Sequence, residues 1–150
     1  MNRLLILPVL LLTLLVGTPA SSADFQKGLT AYKSGDYATA LRELTPLAEQ
    51  GNANAQFNLG VMYNSGKGVP QDHKTAVKWW RLAAKQGNAI AQFTLGVMYD
   101  NGQGVPQDYK TAVKWYRLAA EQGFAPAENV LKEIKSRLVS KKIDDCLFDE

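Results

Sequence analysis

Apolar residues in the middle of the chain recur at the spacing of one face of a helix. In the stretch HKTAVKWWRLAAKQ they stand at offsets 0, 1, 4, 7 and 8, at Ala76, Val77, Trp80, Ala83 and Ala84. Because an α-helix turns once in about 3.6 residues, this spacing places them on one side of a helix. The preceding stretch, QFNLGVMY, is apolar over most of its length and predicts another helix. The pattern therefore indicates a pair of helices.

The same pattern then returns along the chain. Residues 91–126 repeat residues 55–90, with 27 of 36 columns identical and nine different. Self-similarity at a fixed period of this size is typical of a solenoid, in which stacked supersecondary units bury a continuous core. The chain is therefore predicted to stack two copies of one helix pair.

Residues that start and stop helices occupy the same columns in both copies. A side-chain oxygen before a helix accepts hydrogen bonds from the free amides of its first turn, and a glycine after a helix adopts the left-handed conformation that ends it. The predicted N-caps are Asn52, Asp72, Asn88 and Asp108, and the predicted C-terminal glycines are Gly87 and Gly123.

A glycine-containing loop joins the two helices of each copy, SGKGVPQD at 65–72 and NGQGVPQD at 101–108. Glycine loops also cradle phosphates, but the dinucleotide loop needs G-x-G-x-x-G after a strand and the Walker loop needs G-x-x-x-x-G-K-[ST]. Neither pattern is present, and a predicted helix precedes each loop. Gly66, Gly68, Gly102 and Gly104 are therefore interpreted as residues of a duplicated turn.

The pattern A-x-x-x-L-G-x-x-Y, then G-x-G-V-x-x-D, then A-x-x-W-[WY]-x-x-A-A-x-x-G resembles the Sel-one-like repeat (SLR), a relative of the tetratricopeptide repeat (TPR). The first copy matches at Ala55, Leu59, Gly60, Tyr63, Gly66, Gly68, Val69, Asp72, Ala76, Trp79, Trp80, Ala83, Ala84 and Gly87. The second copy matches at Ala91, Leu95, Gly96, Tyr99, Gly102, Gly104, Asp108, Ala112, Trp115, Ala119 and Gly123. This resemblance implies an all-α fold, a right-handed α-solenoid of stacked antiparallel helix pairs.

Small residues inside the predicted helices have a packing role. Glycine costs about 1 kcal/mol of helix propensity, so Gly60 and Gly96 are expected to let a neighbouring helix approach closely. Two adjacent aromatic pairs are interpreted as core rather than as an aromatic ligand platform, Trp79 with Trp80 and Trp115 with Tyr116. Within each pair, the position that varies between the copies, Trp80 against Tyr116, is expected to reach the surface.

The flanking segments are variants of the same unit. Residues 24–54 are predicted to form a degenerate, TPR-like helix pair with a shorter turn, and Pro46 is expected to kink or end its second helix early. Residues 127–142 are predicted to form a capping helix, because lysines replace the glycine and tyrosine of the repeat and give the end a polar face. Residues 143–150 are predicted to be a flexible tail.

Charge and the chain termini bear on location and partners. A formal net charge of +3, with acidic residues among the basic ones, does not favour nucleic acid. Residues 1–23 read as a signal peptide cleaved after Ala20 or Ala23, because Arg3 precedes an apolar run too short to span a bilayer. Export to the bacterial periplasm or beyond is therefore expected, with no transmembrane segment in the mature chain. The single cysteine, Cys146, is either a thiol in the tail or the site of an intermolecular disulfide.

The sequence offers little for catalysis. The one histidine, His73, stands in a predicted first helical turn and is interpreted as a surface residue. No nucleophile has a recognisable histidine partner, and one histidine with one cysteine does not make a zinc site. No enzyme activity, cofactor or metal is expected. Some cysteine-rich SLR proteins are described as binding or hydrolysing β-lactams, but their two cysteines per repeat are absent from this chain.

Binding of a protein or peptide is the favoured function. In TPR relatives the first helix of each pair lines the concave face, and that resemblance selects Asn54, Phe57, Val61, Asn64, Ile90, Phe93, Val97 and Asp100. Phe57 and Phe93 are open to the alternative that they belong to the core. The sequence thus predicts an exported adaptor or scaffold in signalling, envelope assembly or host interaction. A cell-wall-directed enzyme or β-lactam binder and a structural assembly subunit are the alternatives.

Overall fold

A computed structural model of the protein describes the backbone of residues 22–148. It also describes the side chain of Ser22 and those of residues 24–138. Within that part of the chain there are seven α-helices and no β-strand. They are α1 (Ser22–Ser34), α2 (Tyr37–Glu49), α3 (Ala53–Ser65), α4 (His73–Lys85), α5 (Ala89–Asn101), α6 (Tyr109–Glu121) and α7 (Ala125–Phe148). Residues 1–21, most of the predicted signal peptide, and the side chain of Cys146 lie outside the described residues.

Neighbouring helices stack in chain order. The most extensive contacts lie within the hairpins α1–α2, α3–α4 and α5–α6, and smaller contacts join α2 to α3, α4 to α5 and α6 to α7. One core cluster spans the first three helices and another spans α4 and α5. The architecture is therefore an all-α helical solenoid, as the repeat predicts.

Side-chain caps begin the helices at the predicted residues. Asn52 Oδ1 accepts from the amide of Ala55 at 2.9 Å. Asp72 Oδ1 accepts from the amide of Lys74 at 2.9 Å, and its Oδ2 accepts from the hydroxyl of Thr75 at 2.6 Å. The hydrogen bonds from Thr75 hold the pKa of the Asp72 carboxyl below its usual value. The second copy repeats both caps at Asn88 and Asp108, so the predicted helix starts are confirmed.

The glycine-containing loops are tight turns that also contact the preceding hairpin. Gly66 and Gly102 end α3 and α5 in the left-handed conformation, each with φ of +67°. A Cβ added at Gly68 would lie 2.7 Å from the Cβ of Tyr37, which is closer than side chains pack. The interpretation of these loops as a duplicated turn is therefore supported, with the second glycine needed for a close approach.

Two expected helix boundaries differ from the structure. Helix α2 does not end early at Pro46 but continues to Glu49. Pro46 is exposed, and its carbonyl still accepts from the amide of Gln50 at 3.1 Å, so only the missing proline amide is lost from the helix. Helix α7 continues past Lys142 to Phe148, beyond the boundary expected for the capping helix.

Candidate functional site

The predicted binding residues lie on α3 and α5, the first helices of the two repeated hairpins. At the amino-terminal ends of these helices, Asn54 is exposed and Ile90 is 48% exposed. Asn88 Nδ2 donates to Asn54 Oδ1 at 3.3 Å and so joins the two hairpins at this point. The exposed Asn54 and Ile90, together with the partly buried Asn88 that caps α5, form a small surface, which we call the α3–α5 edge.

The remaining apolar members of the predicted face pack against the core. Phe57 and Val61 are partly buried against the cluster that includes α4 and α5. The ring of Phe93 lies between those of Tyr116 and Phe124, with centroid separations of 5.5 Å and 5.4 Å. Val97 is also partly buried. These four side chains therefore form the rim of the core and offer less free surface than the α3–α5 edge.

The two polar members at the other end of the face bond to the second helix of their own hairpin. Asn64 Oδ1 lies 2.8 Å from His73 Nδ1 and accepts from it in the tautomer that carries a proton there. Asp100 Oδ2 accepts from the hydroxyl of Tyr116 at 3.5 Å. His73 is thus partly buried, and its ring is hydrogen-bonded to Asn64.

The varying aromatic position is buried, so the expectation that it reaches the surface is wrong. Trp80 is 3% exposed and Tyr116 is 2% exposed, whereas Trp79 and Trp115 are partly buried. The reason is the glycine of the facing helix, because a Cβ on Gly60 would overlap the indole of Trp80. The flat surface of α3 accepts the ring, and Trp80 Nε1 donates to the carbonyl of Phe57 at 3.1 Å.

The same glycine-to-side-chain contact occurs in all three hairpins. A Cβ on Gly96 would overlap the ring of Tyr116, and one on Gly28 would lie 2.8 Å from Leu44 Cδ2. Leu44 stands eight residues after Asp36, as Trp80 stands eight after Asp72. Each hairpin therefore closes on a glycine, and the facing side chain differs from one to the next.

Burial also changes the chemistry of the second of these aromatic residues. Desolvation raises the pKa of Tyr116 from 10.0 to about 12, and the nearby Asp100 carboxylate adds to the shift. Tyr116 therefore stays a neutral hydroxyl that donates to Asp100 through the physiological pH range.

Two buried glutamines that the repeat pattern did not single out join successive hairpins. Gln56, which is 4% exposed, donates to the carbonyl of Ala48 at 3.0 Å and accepts from Gln86 at 2.7 Å. Gln92 is 5% exposed, and it donates to Ala84 at 3.1 Å. Each glutamine thus links α3 or α5 to the end of the preceding hairpin. The signal available in the sequence was a polar residue repeated within an apolar helix face.

A cavity of about 450 Å³ opens between α6 and α7. It is lined by Tyr109, Ala112, Val113 and Tyr116 on α6, and by α7 residues that include Ile134 and Leu138. We call this surface the α6–α7 groove.

Within the described residues, no cluster of three or more His, Cys, Asp or Glu is placed to hold a metal ion. No helix in the same part of the chain combines the length and hydropathy of a membrane span.

Comparison with protein families identifies the repeated unit. The Sel1 repeat family matches residues 53–88 and 89–124. These two matches follow one another without a gap and have the period of the sequence repeat. Each contains one of the hairpins α3–α4 and α5–α6 together with its turn. The predicted resemblance is therefore confirmed. No curated protein matches the chain.

Several solved structures share the fold. A Sel1 repeat protein from Oxalobacter formigenes is 41% identical over 69% of this chain and 43% of its own, with a TM-score of 0.67. A protective antigen of uropathogenic Escherichia coli strains that displays an SLR fold is 43% identical over 67% of this chain and 22% of its own, with a TM-score of 0.63. This chain therefore spans less than half the length of either protein. Cysteine-rich protein B of Helicobacter pylori is similar in fold, at 22% identity over 72% of this chain and 92% of its own, with a TM-score of 0.59.

Proposed function

Because the chain is a Sel1 repeat protein with two tandem repeats, in the TPR-like superfamily, we propose that it is a protein-binding scaffold whose contact surface is the α3–α5 edge. Sel1 repeats are typically non-catalytic scaffolds, and stacked helix pairs present extended surfaces to partners. The role is that of a small adaptor that holds a protein or peptide segment.

The observation that carries this proposal is the exposed isoleucine beside asparagines at the α3–α5 edge. Ile90 is 48% exposed and stands two residues after Asn88, which donates to Asn54 Oδ1 at 3.3 Å. An apolar side chain gains free energy when a partner covers it, and asparagine amides both donate to and accept from a peptide backbone. The combination suits an extended peptide or one face of a partner helix.

Export of the protein is part of the same proposal. It is supported by the sequence at the amino terminus, where Arg3 precedes the apolar stretch from Leu4 to Val16 and small residues follow at 20–23. The partner is then a protein of the cell envelope or beyond it. Intact-mass measurement of protein from the periplasmic or culture fraction should give a chain that starts at Ser21 or Asp24. A chain that retains residues 1–20 in the cytoplasmic fraction would contradict export.

The binding surface is tested with exposed residues that hold no core contact. The variant Asn54→Arg plus Ile90→Arg should lose the partner captured from envelope extract by wild-type protein, because two bulky cations replace the apolar and amide contacts. Asn64 and Asp100 are less suitable positions, because they bond to His73 and Tyr116 inside their hairpins. An unchanged circular-dichroism spectrum confirms that the variant is folded.

The matched control is Leu82→Arg plus Leu118→Arg. These leucines lie on α4 and α6 and are 45% and 42% exposed, so they offer similar apolar area away from the α3–α5 edge. The control should capture the same partner as the wild type. Capture by the edge variant at wild-type level would contradict the proposed surface. Turnover of a chromogenic β-lactam or of peptidoglycan, abolished by a point substitution, would contradict the scaffold itself.

A further inference from the structure

Each Gly-x-Gly-Val-Pro turn of this chain docks on the start of the even-numbered helix before it. A Cβ added at Gly68 would lie 2.7 Å from the Cβ of Tyr37, the first residue of α2. A Cβ added at Gly104 would overlap the carbonyl of His73, the first residue of α4. Glycine is needed for so close an approach. The chain therefore makes the same turn-to-helix contact twice.

The start of α6 is a third surface of this kind, and within the described residues no turn covers it. Tyr109 is the first residue of α6, in the column of His73, and it is 62% exposed. The α6–α7 groove opens beside it with a volume of about 450 Å³. The groove thus lies at the start of α6, in the position where the turns of the chain contact the starts of α2 and α4.

The matching surface of α4 shows what such a groove holds when it is covered. Val77, in the column of Val113, is 2% exposed. Val105, from the turn after α5, packs against the cluster that contains Val77. On α6, by contrast, Val113 is only partly buried and lines the groove. The groove therefore lies where the valine of a following turn would pack.

The groove is open because α7 does not turn back. In the columns that hold Gly102 and Gly104 after α5, the chain carries Leu138 and Ser140, and lysine replaces the proline. Without these residues nothing ends the helix, and α7 continues to Phe148. Leu138 is 64% exposed at the rim of the groove. The contact surface on α6 is retained while the turn that would cover it is missing.

We propose that the α6–α7 groove binds the Gly-x-Gly-Val-Pro turn of a Sel1 repeat carried by a different protein. The partner's second glycine lies against the start of α6 at Tyr109, and its valine packs on Val113. Contact between the chains then continues the stack of hairpins across the end of this solenoid. The site is separate from the α3–α5 edge, so it adds a second partner surface to the proposed scaffold.

A different Sel1 protein fits the groove better than a second copy of this chain. Both turns of this chain are already docked, through Gly68 on α2 and Gly104 on α4, so a copy has no free turn to offer. A Sel1 protein whose first repeat has no hairpin before it presents a turn with nothing to dock on. The glycine before the valine makes the selection, because a side chain there cannot approach the helix start.

The test uses a cyclic peptide of the sequence NGQGVPQD, taken from residues 101–108. Backbone NMR spectra of the full chain are recorded during titration with the peptide to millimolar concentration. Saturable shifts should appear at Tyr109 and Val113. The peptide with alanine in place of valine should bind about tenfold more weakly, because the apolar contact of the two valine methyl groups with Val113 is lost. Absence of saturable shifts at these residues, or equal binding of the two peptides, would overturn the proposal.

Two protein variants locate the binding site. Val113→Asp places a charge in the groove and should abolish the shifts. Leu118→Asp is the matched control, since Leu118 lies on the same helix, is 42% exposed and does not line the groove. It should bind the peptide like the wild type. Loss of binding in both variants, or in neither, would contradict the assignment. Capture at the α3–α5 edge should survive Val113→Asp, so the two proposals fail independently.

A third variant tests the groove within one chain. Replacing residues 138–143, LVSKKI, with GQGVPQ restores the turn sequence before Asp144. The restored turn should dock on α6, protect the Tyr109 side chain from chemical modification and prevent binding of the free peptide. If Tyr109 stays as reactive as in the wild type and the peptide still binds, the groove does not accept this turn and the proposal fails.

Discussion

The two Sel1 repeats differ in nine of 36 columns, and these differences fall into a pattern. The N-cap aspartates, the turn glycines and the glycine facing the aromatic ring are identical in both copies, and each has a defined conformational task. The buried Gln56 and Gln92, which join successive hairpins, are identical as well. The positions that fix backbone path and stacking are therefore the ones that the copies share.

Three of the differing columns change the side-chain hydrogen bonds between the two helices of each hairpin. In the first repeat, Asn64 bonds to His73, and Trp80 donates to a backbone carbonyl. In the second repeat, the hydroxyl of Tyr116 reaches Asp100 instead. The same two helices are thus held by different side-chain hydrogen bonds. The fold therefore tolerates exchange of these polar contacts while the glycine contact is kept.

The first turn also differs from the second in what it contacts. Lys67 Nζ donates to the hydroxyl of Tyr32 at 3.2 Å and lies 4.9 Å and 5.7 Å from the ring centroids of Tyr32 and Tyr37. This hydrogen bond, together with the two tyrosines, raises the pKa of the Lys67 ammonium. In the second repeat the column holds Gln103, which carries no charge. The cation therefore belongs to the junction with the amino-terminal hairpin.

The largest expected effect comes from the glycine that both repeats share. Gly60→Ala and Gly96→Ala should each destabilise the protein by about 2 kcal/mol, because the added methyl overlaps a buried ring and overpacking exceeds the gain in helix propensity. Urea denaturation measures the free energy of unfolding. In a double-mutant cycle, Gly60→Ala should cost much less in the presence of Trp80→Ala. Additive costs would show that the ring and the glycine are not coupled.

Removal of the polar group from the buried aromatic side chain should cost a different free energy of unfolding in each repeat. Trp80→Phe loses ring volume and a 3.1 Å hydrogen bond, and should cost about 1–2 kcal/mol. Tyr116→Phe loses only a long hydrogen bond of 3.5 Å and should cost less than about 0.5 kcal/mol. Equal costs in the same urea experiments would contradict the account of two different hydrogen-bond sets.

The N-cap aspartates should instead behave alike. Asp72→Ala and Asp108→Ala each leave two first-turn amides without their acceptor, and each should lower the melting temperature by about 4 °C at pH 7. Hydrogen bonds from Thr75 and Thr111 lower the pKa of these carboxyls, so their contribution is present above pH 3.8 and is lost as the pH falls further. The variants and the wild type should therefore converge in acid. A difference that persists there would contradict the capping role.

The smallest effect is confined to alkaline solution and to the second repeat. The pKa of Tyr116 is raised from 10.0 to about 12, so its contribution is intact below pH 10 and falls as the pH rises towards 12. The wild type should lose more melting temperature over this interval than Tyr116→Phe does. Trp80→Phe should leave the loss unchanged, because tryptophan does not titrate. Parallel profiles for wild type and Tyr116→Phe would contradict burial of the hydroxyl.

Much of the fold could be predicted from the sequence because its signals are local. The repeat period, the caps at Asn52 and Asp72, and the turn glycines each depend on a few neighbouring residues. The side chain that faces Gly60 was not predictable in the same way. Trp79 and Trp80 are adjacent within one apolar arc, and the choice between them depends on how α4 is rotated against α3. That rotation is set by tertiary packing.

The binding face was less predictable than the fold. The positions that line the concave face in TPR proteins correspond to side chains on α3 and α5 of this chain. That correspondence does not distinguish side chains with free surface from those used in packing. Phe93 packs between two rings and Asn64 bonds to His73, whereas Asn54 and Ile90 are exposed. Such contacts join residues of different helices, which column matching does not include. The binding role of the whole set stays a prediction.

Hydrogen–deuterium exchange of the full chain, with and without its captured partner, tests the scaffold assignment most directly. The partner should slow exchange in α3 and α5, most strongly near Asn54 and Ile90 at their first turns. Exchange in the outer faces of α4 and α6, near Leu82 and Leu118, should not change. Slower exchange confined to α4 and α6, with α3 and α5 unaffected, would contradict the claim that the α3–α5 edge holds the partner.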